Sequence, residues 1–185
     1  EWGVVSDGPM LAPGMPAVSY GLRGLAYFQL DISAASADLH SGTHGGAVPN
    51  PATVLAEFIA TLHTGDGSVN LSGFYDDVTP LKAVEREALA ALEFSDDEYL
   101  KSLGAPGLAG EAGFTTLERR WARPTLEVNG IWGGYTGEGA KTVLPACASA
   151  KLSCRLVPRQ EPAAIEAALR RACAERLPVG VRWGV

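Results

Sequence analysis

Residues 148–158, ASAKLSCRLVP, alternate in character along their length: Ala150, Leu152, Cys154 and Leu156 fall on one face of an extended chain, and Lys151, Ser153, Arg155 and Val157 on the other. One face is apolar and the other carries two cations. A strand of this kind belongs to a sheet that is covered on one side and open on the other, because unpaired charges are costly to bury. The open side would then present Lys151 and Arg155, and the rest of the chain must supply what covers the apolar side.

Three more segments read as strands. LRGLAYFQLDISA, residues 22–34, places Phe28, Leu30 and Ile32 on one face, and TLEVNGIWGG, residues 125–134, turns Leu126 and Val128 inward. VGVRWGV, residues 179–185, sets Val179, Val181 and Trp183 on one side. Two helices are expected between them. Asn50 and Pro51 form a cap and a first-turn proline, after which Val54, Leu55, Phe58, Ile59 and Leu62 recur at helical spacing to about residue 63. The second runs from about Pro162 to Leu177, with Ile165, Leu169, Ala172 and Cys173 as its stripe. From about 71 to 123 hydrophobicity falls and turn residues crowd in, which marks an insertion with short helices. Without it the order is β-α-β-β-α-β. The expected fold is therefore α+β, a two-layer ferredoxin-like sandwich: a four-stranded antiparallel sheet with two helices on one face, plus the partly helical insertion. A bare sheet face and two edges are surfaces that commonly meet a partner.

Composition narrows the partners. With 185 residues, 46% of them hydrophobic, the chain can bury a core. A formal net charge of −6 leaves no cationic excess to neutralise nucleic acid or an anionic membrane surface, and no apolar run is long enough to span a bilayer. Three cysteines, Cys147, Cys154 and Cys173, are an odd set. Cys147 and Cys154 point to opposite faces of one strand and cannot bridge, so reduced thiols in a cytoplasm are expected. The chain opens EWGVVSD, without Met and with an apolar run already under way, and reads as a piece of a longer protein.

The densest chemistry lies in ADLHSGTHGG, residues 37–46. His40 and His44 have a spacing that would aim both rings at one metal on a helix, but the intervening Ser-Gly-Thr and the trailing glycines argue for a loop with no third ligand nearby. A solvated loop histidine is the plain reading. GGYTGEGAKT, residues 133–142, fails as a phosphate loop because Ala140 precedes Lys141, and fails as a dinucleotide fingerprint because Thr142 stands where a glycine is needed. It reads as a turn between strands, with Lys141 and Thr142 exposed at its end. Ser41 lacks a nucleophile elbow, and the cysteines sit on strand or helix faces. Asp7 ends an apolar run, where a carboxylate can meet a metal or start a turn. Arg155 can clamp a carboxylate from the open face or pair with an acid on the next strand.

Together SD at 6–7, YGLRG at 20–24, DLHSG with its trailing GG at 38–46, NP at 50–51, GFYD at 73–76, RPT at 123–125 and KTVLPACASAKLSCRLVPRQ at 141–160 resemble one family. It is the family of dinuclear zinc peptidases related to carnosinase, non-specific dipeptidase, carboxypeptidase G and aminoacylase. The resemblance implies a homodimeric enzyme that uses two zinc ions to hydrolyse peptides or N-acyl amino acids. Residues 1–20 would be a leader from its catalytic domain, and 21–185 its lid, or dimerisation, domain. It further implies that Asp7 is a zinc ligand in the full-length enzyme, that His40 and Thr142 act in trans on the neighbouring subunit's reaction centre, and that Arg155 grips the substrate's terminal carboxylate. The family's remaining zinc ligands and its Glu-Glu base pair are absent from these residues, so the fragment alone is expected to be inactive. The other class of function compatible with these residues is a non-catalytic ferredoxin-like module for self-association or small-ligand binding.

Overall fold

The computed structural model describes residues 21–185 together with Gly14 and Ser19. Asp7 lies outside the described residues.

In chain order the elements are β1 (Gly24–Ser33), β2 (Leu39–His40), α1 (Ser41–His44), α2 (Pro51–Ala60), α3 (Ala83–Ala90), α4 (Asp96–Leu103), α5 (Thr116–Trp121), β3 (Thr125–Gly133), β4 (Val143–Leu144), β5 (Cys147–Leu156), α6 (Pro162–Arg176) and β6 (Arg182–Gly184). Four strands form one sheet in the order β3-β5-β1-β6, and every neighbouring pair is antiparallel. β5 is central and pairs along its full length with β1, from Gly24↔Leu156 to Ser33↔Cys147. Its alternation has the expected consequence at the apolar residues and the cations, for Ala150, Leu152, Cys154 and Leu156 are buried while Lys151 and Arg155 are exposed, but Ser153 and Val157, expected on the open side, are buried too.

The buried face meets α2 and α6. Val54, Leu55 and Phe58 of α2, followed by Leu62, and Ile165, Leu169, Ala172 and Cys173 of α6 share one core with Leu30, Ile32, Leu126 and Leu152. The Asn50 side chain accepts from the Ala52 amide at 3.0 Å, and Pro51 occupies the first turn. At the Ser33–Cys147 end of the sheet, Gly133 lets β3 approach β5 closely. A Cβ there would stand 2.7 Å from the Ala148 Cβ, in a backbone conformation with φ of 150°.

Residues 71–123 carry α3, α4 and α5, as the falling hydrophobicity suggested. Their first part is nevertheless core: Leu71 and Phe74 are buried with the sheet, and Gln160 Nε2 donates to the Phe74 carbonyl at 2.7 Å. The far part closes on a part-buried pair, Arg123 to Glu111, with Nε and Nη2 of the guanidinium at 2.7 and 2.6 Å from the two carboxylate oxygens and the Phe114 ring 4.2 Å from the cation.

Two expectations need correction. The last strand does not begin at Val179, which is fully exposed; Pro178 and Gly180, with φ of 104°, turn the chain, and β6 starts at Arg182. The DLHSGTHGG segment is not a plain loop. It contains β2, which pairs with β4 through Leu39↔Leu144 and His40↔Val143, and the single turn α1. Asp38 Oδ1 accepts from the Ala146 amide at 2.9 Å, which locks the segment to the start of β5. These partners lie more than a hundred residues along the chain, beyond the reach of any local pattern.

Candidate functional site

His40 ends β2 with an extended backbone, φ −75° and ψ 117°, and its imidazole folds over the turn that follows. The ring is exposed, and both of its nitrogens have hydroxyl neighbours. Thr142 Oγ1 lies 3.1 Å from Nε2, and Thr43 Oγ1 lies 3.4 Å from Nδ1. Thr142 is held in place through its backbone, because its carbonyl accepts from the Ser41 amide at 3.1 Å and the next residue pairs with His40. The fold thus brings together two residues that stand 102 positions apart in the chain. His44, four residues on, is exposed at the end of α1. Among the described residues no group of three or more His, Cys, Asp and Glu side chains is placed to hold a metal ion.

Arg155 lies toward the other end of β5, on the open face, between Leu25 of β1 and Thr125 of β3. Among the described residues no ion pair engages it. Its surroundings are cationic. Arg23, just before β1, donates to the Arg123 and Arg119 carbonyls at 3.0 and 3.4 Å, at the end of α5. Burial holds the Arg23 pKa below the ordinary arginine value; the positive charges of Arg155 and Arg120 add to that effect, and Glu127 opposes it. Because Arg23 spends hydrogen bonds on backbone carbonyls, the exposed guanidinium of Arg155 is the one presented to an incoming anion.

The site's secondary residues were the ones that sequence reasoning missed. Thr43 and Gly42 carry no chemical signature of their own, and Asp38 and Arg23 stood inside quoted motifs without a role. Gly42 is required by proximity, since a Cβ there would sit 2.9 Å from His40 Cε1 and 3.2 Å from Nδ1. The ring could not fold over the turn past a side chain.

The relatives agree with this architecture. The chain is 36% identical over 162 residues to the Cys-Gly metallodipeptidase dug1 of Schizosaccharomyces pombe, covering 88% of this chain and 34% of that protein. It is 32% identical over 168 residues to the Beta-Ala-His dipeptidase of Homo sapiens, covering 91% and 33%. It therefore spans about a third of the length of these curated relatives. Among solved structures, an M20 family metallo-carboxypeptidase from Sulfolobus solfataricus superposes with a TM-score of 0.82 at 34% identity, over 95% of this chain and 46% of that one. The di-peptidase Dug1p of Saccharomyces cerevisiae gives 0.79 at 31% identity, over 90% and 36%. The peptidase dimerisation domain of M20 matches residues 20–181, so the chain belongs to the M20 peptidase dimerisation domain family.

Proposed function

We propose that this chain is the lid of a homodimeric, zinc-dependent peptidase that hydrolyses dipeptides or N-acyl amino acids, with His40 and Thr142 acting on the partner subunit's substrate and Arg155 on the substrate of its own subunit. The order β3-β5-β1-β6, with α2 and α6 on one side, supports reading the sheet as the ferredoxin-like arrangement. The dipeptidases among the relatives favour dipeptides within that substrate class. Cys154 and Cys173 are free thiols buried in the core, which suits a reducing, cytoplasmic setting.

One observation carries the reading. From Cys147, next to the His40 end of the sheet, to Arg155 is eight strand residues, or about 26 Å at the usual rise. A dipeptide spans only about 7 Å. On that spacing one copy of this chain would not bring its own imidazole and its own Arg155 guanidinium to the same small substrate, whereas two copies in a symmetric dimer would each lend the other what it lacks.

The chemistry follows from the groups. An imidazole N–H aimed at a scissile carbonyl is matched best by the oxyanion that develops during acyl transfer, so its hydrogen bond strengthens in the transition state. The Arg155 fork suits a carboxylate, and holding the substrate's charged end fixes where the carbonyl falls. Zinc, when bound, would supply the activated water; the described residues form no cradle for it, so the lid's own part is binding, orientation and the donated hydrogen bond.

Subunit mixing tests the arrangement. His40→Ala and Arg155→Ala variants of the intact peptidase, each impaired alone, are unfolded together and reassembled. In the mixed dimer one site has both wild-type groups, so random pairing should restore about a quarter of wild-type activity. Failure of the mixed preparation to exceed the two parents would refute the trans assignment.

A further inference from the structure

We propose that Thr43 is a positioning residue that holds His40 in its Nε2–H tautomer. The inference rests on the reading of His40 as an oxyanion donor. A neutral imidazole has one donor and one acceptor nitrogen, and which is which is set by the partner of the other. Only the Nε2–H form can donate from the side that faces Thr142, away from the turn.

The surroundings of Nδ1 favour a lone pair there. The Thr43 hydroxyl, 3.4 Å away, is a rotor that can donate into it. The ring also lies against Gly42, with Nδ1 3.2 Å from the point where a Cβ would stand. His40 caps α1 without its side chain accepting a backbone N–H, so among the described residues the Thr43 hydroxyl is the hydrogen-bonding partner of Nδ1. On the opposite side Thr142 Oγ1 lies 3.1 Å from Nε2, and in the proposed tautomer Nε2–H donates to it. That hydroxyl marks where the proton points before substrate arrives. A substrate oxygen would take over the same N–H, and no proton need change atoms.

Thr43 therefore has a role that a merely structural residue would not have, and ¹⁵N spectra of the histidine-labelled chain at about pH 8, where an ordinary imidazole is neutral, read it directly. The His40 ring nitrogens are expected to show a bare Nδ1 and a protonated Nε2 as the dominant form. Thr43→Val should move the tautomer ratio about 2- to 12-fold toward Nδ1–H, the ratio that one net hydrogen bond supports, and Thr43→Ser should keep the wild-type ratio. A dominant Nδ1–H form in the wild type, or a ratio indifferent to Thr43→Val, overturns the proposal. The measurement needs no turnover, so it stands or falls apart from the catalytic reading: full activity in His40→Ala would remove the oxyanion role and leave the tautomer result untouched.

Discussion

Arg155 is a cation with no counter-charge bound to it among the described residues, at a position where every strand neighbour is supplied by backbone pairing. A guanidinium in that state gains most from a carboxylate it meets in two parallel hydrogen bonds. In the intact peptidase, Arg155→Ala is expected to lower kcat/KM about 10- to 150-fold for substrates with a free terminal carboxylate, the span of a charged hydrogen bond, and to leave amidated substrates nearly unchanged. Equal losses on both would show that the arginine serves the fold. Arg155 was legible in the sequence because strand alternation alone puts it on the open face. Thr43 was not, since a threonine three residues past a histidine has meaning only once the turn between them is known.

At the scale of elements, β5 and β6 are instructive opposites. The alternation of residue type along β5 leaves one register possible, because a slip of one residue would expose Leu152 and bury Lys151. Leu152 is fully buried between two paired strands and the helices, so Leu152→Ala should cost about 2–5 kcal/mol, measured as a lower denaturation midpoint with an unchanged slope. A loss under about 1 kcal/mol would mean that the neighbours collapse into the space and that the core is softer than its packing implies. β6 has the same alternation but only three paired residues, since Pro178 and Gly180 spoil the start of the run. Short strands such as β2 and β4 carry no pattern. They exist because Asp38 and Ser41 find partners at Ala146 and Thr142.

For the molecule as a whole, the buried thiols set a pH limit. Burial pushes Cys154 up to about 12 and Cys173 to about 11, from an ordinary thiol value of 9.0. Between those values the folded state keeps protons that the unfolded state has lost, so this stability is fully present below pH 9 and is lost as pH climbs through the two folded values. In reducing buffer the unfolding free energy should therefore fall from pH 9 to 11 by up to about 1.4 kcal/mol per pH unit for each thiol, and Cys154→Ala with Cys173→Ala should remove most of that slope. A flat wild-type profile over that range would contradict the burial of both groups.

By itself the sequence determined the covered and open faces of the sheet, the two helices that cover it, and the place of Arg155, because each depends on spacing within a dozen residues and on the cost of burying charge. It also carried the family resemblance. Only the tertiary structure decided that His40 lies beside Thr142 and over Gly42, that Leu71 and Phe74 belong to the core, and that Asp38, two residues before His40, is tied to Ala146 at the opposite end of β5 from Arg155. Those are facts of distance between residues far apart in the chain, and distance of that kind is set by how the sheet closes, which no local periodicity encodes.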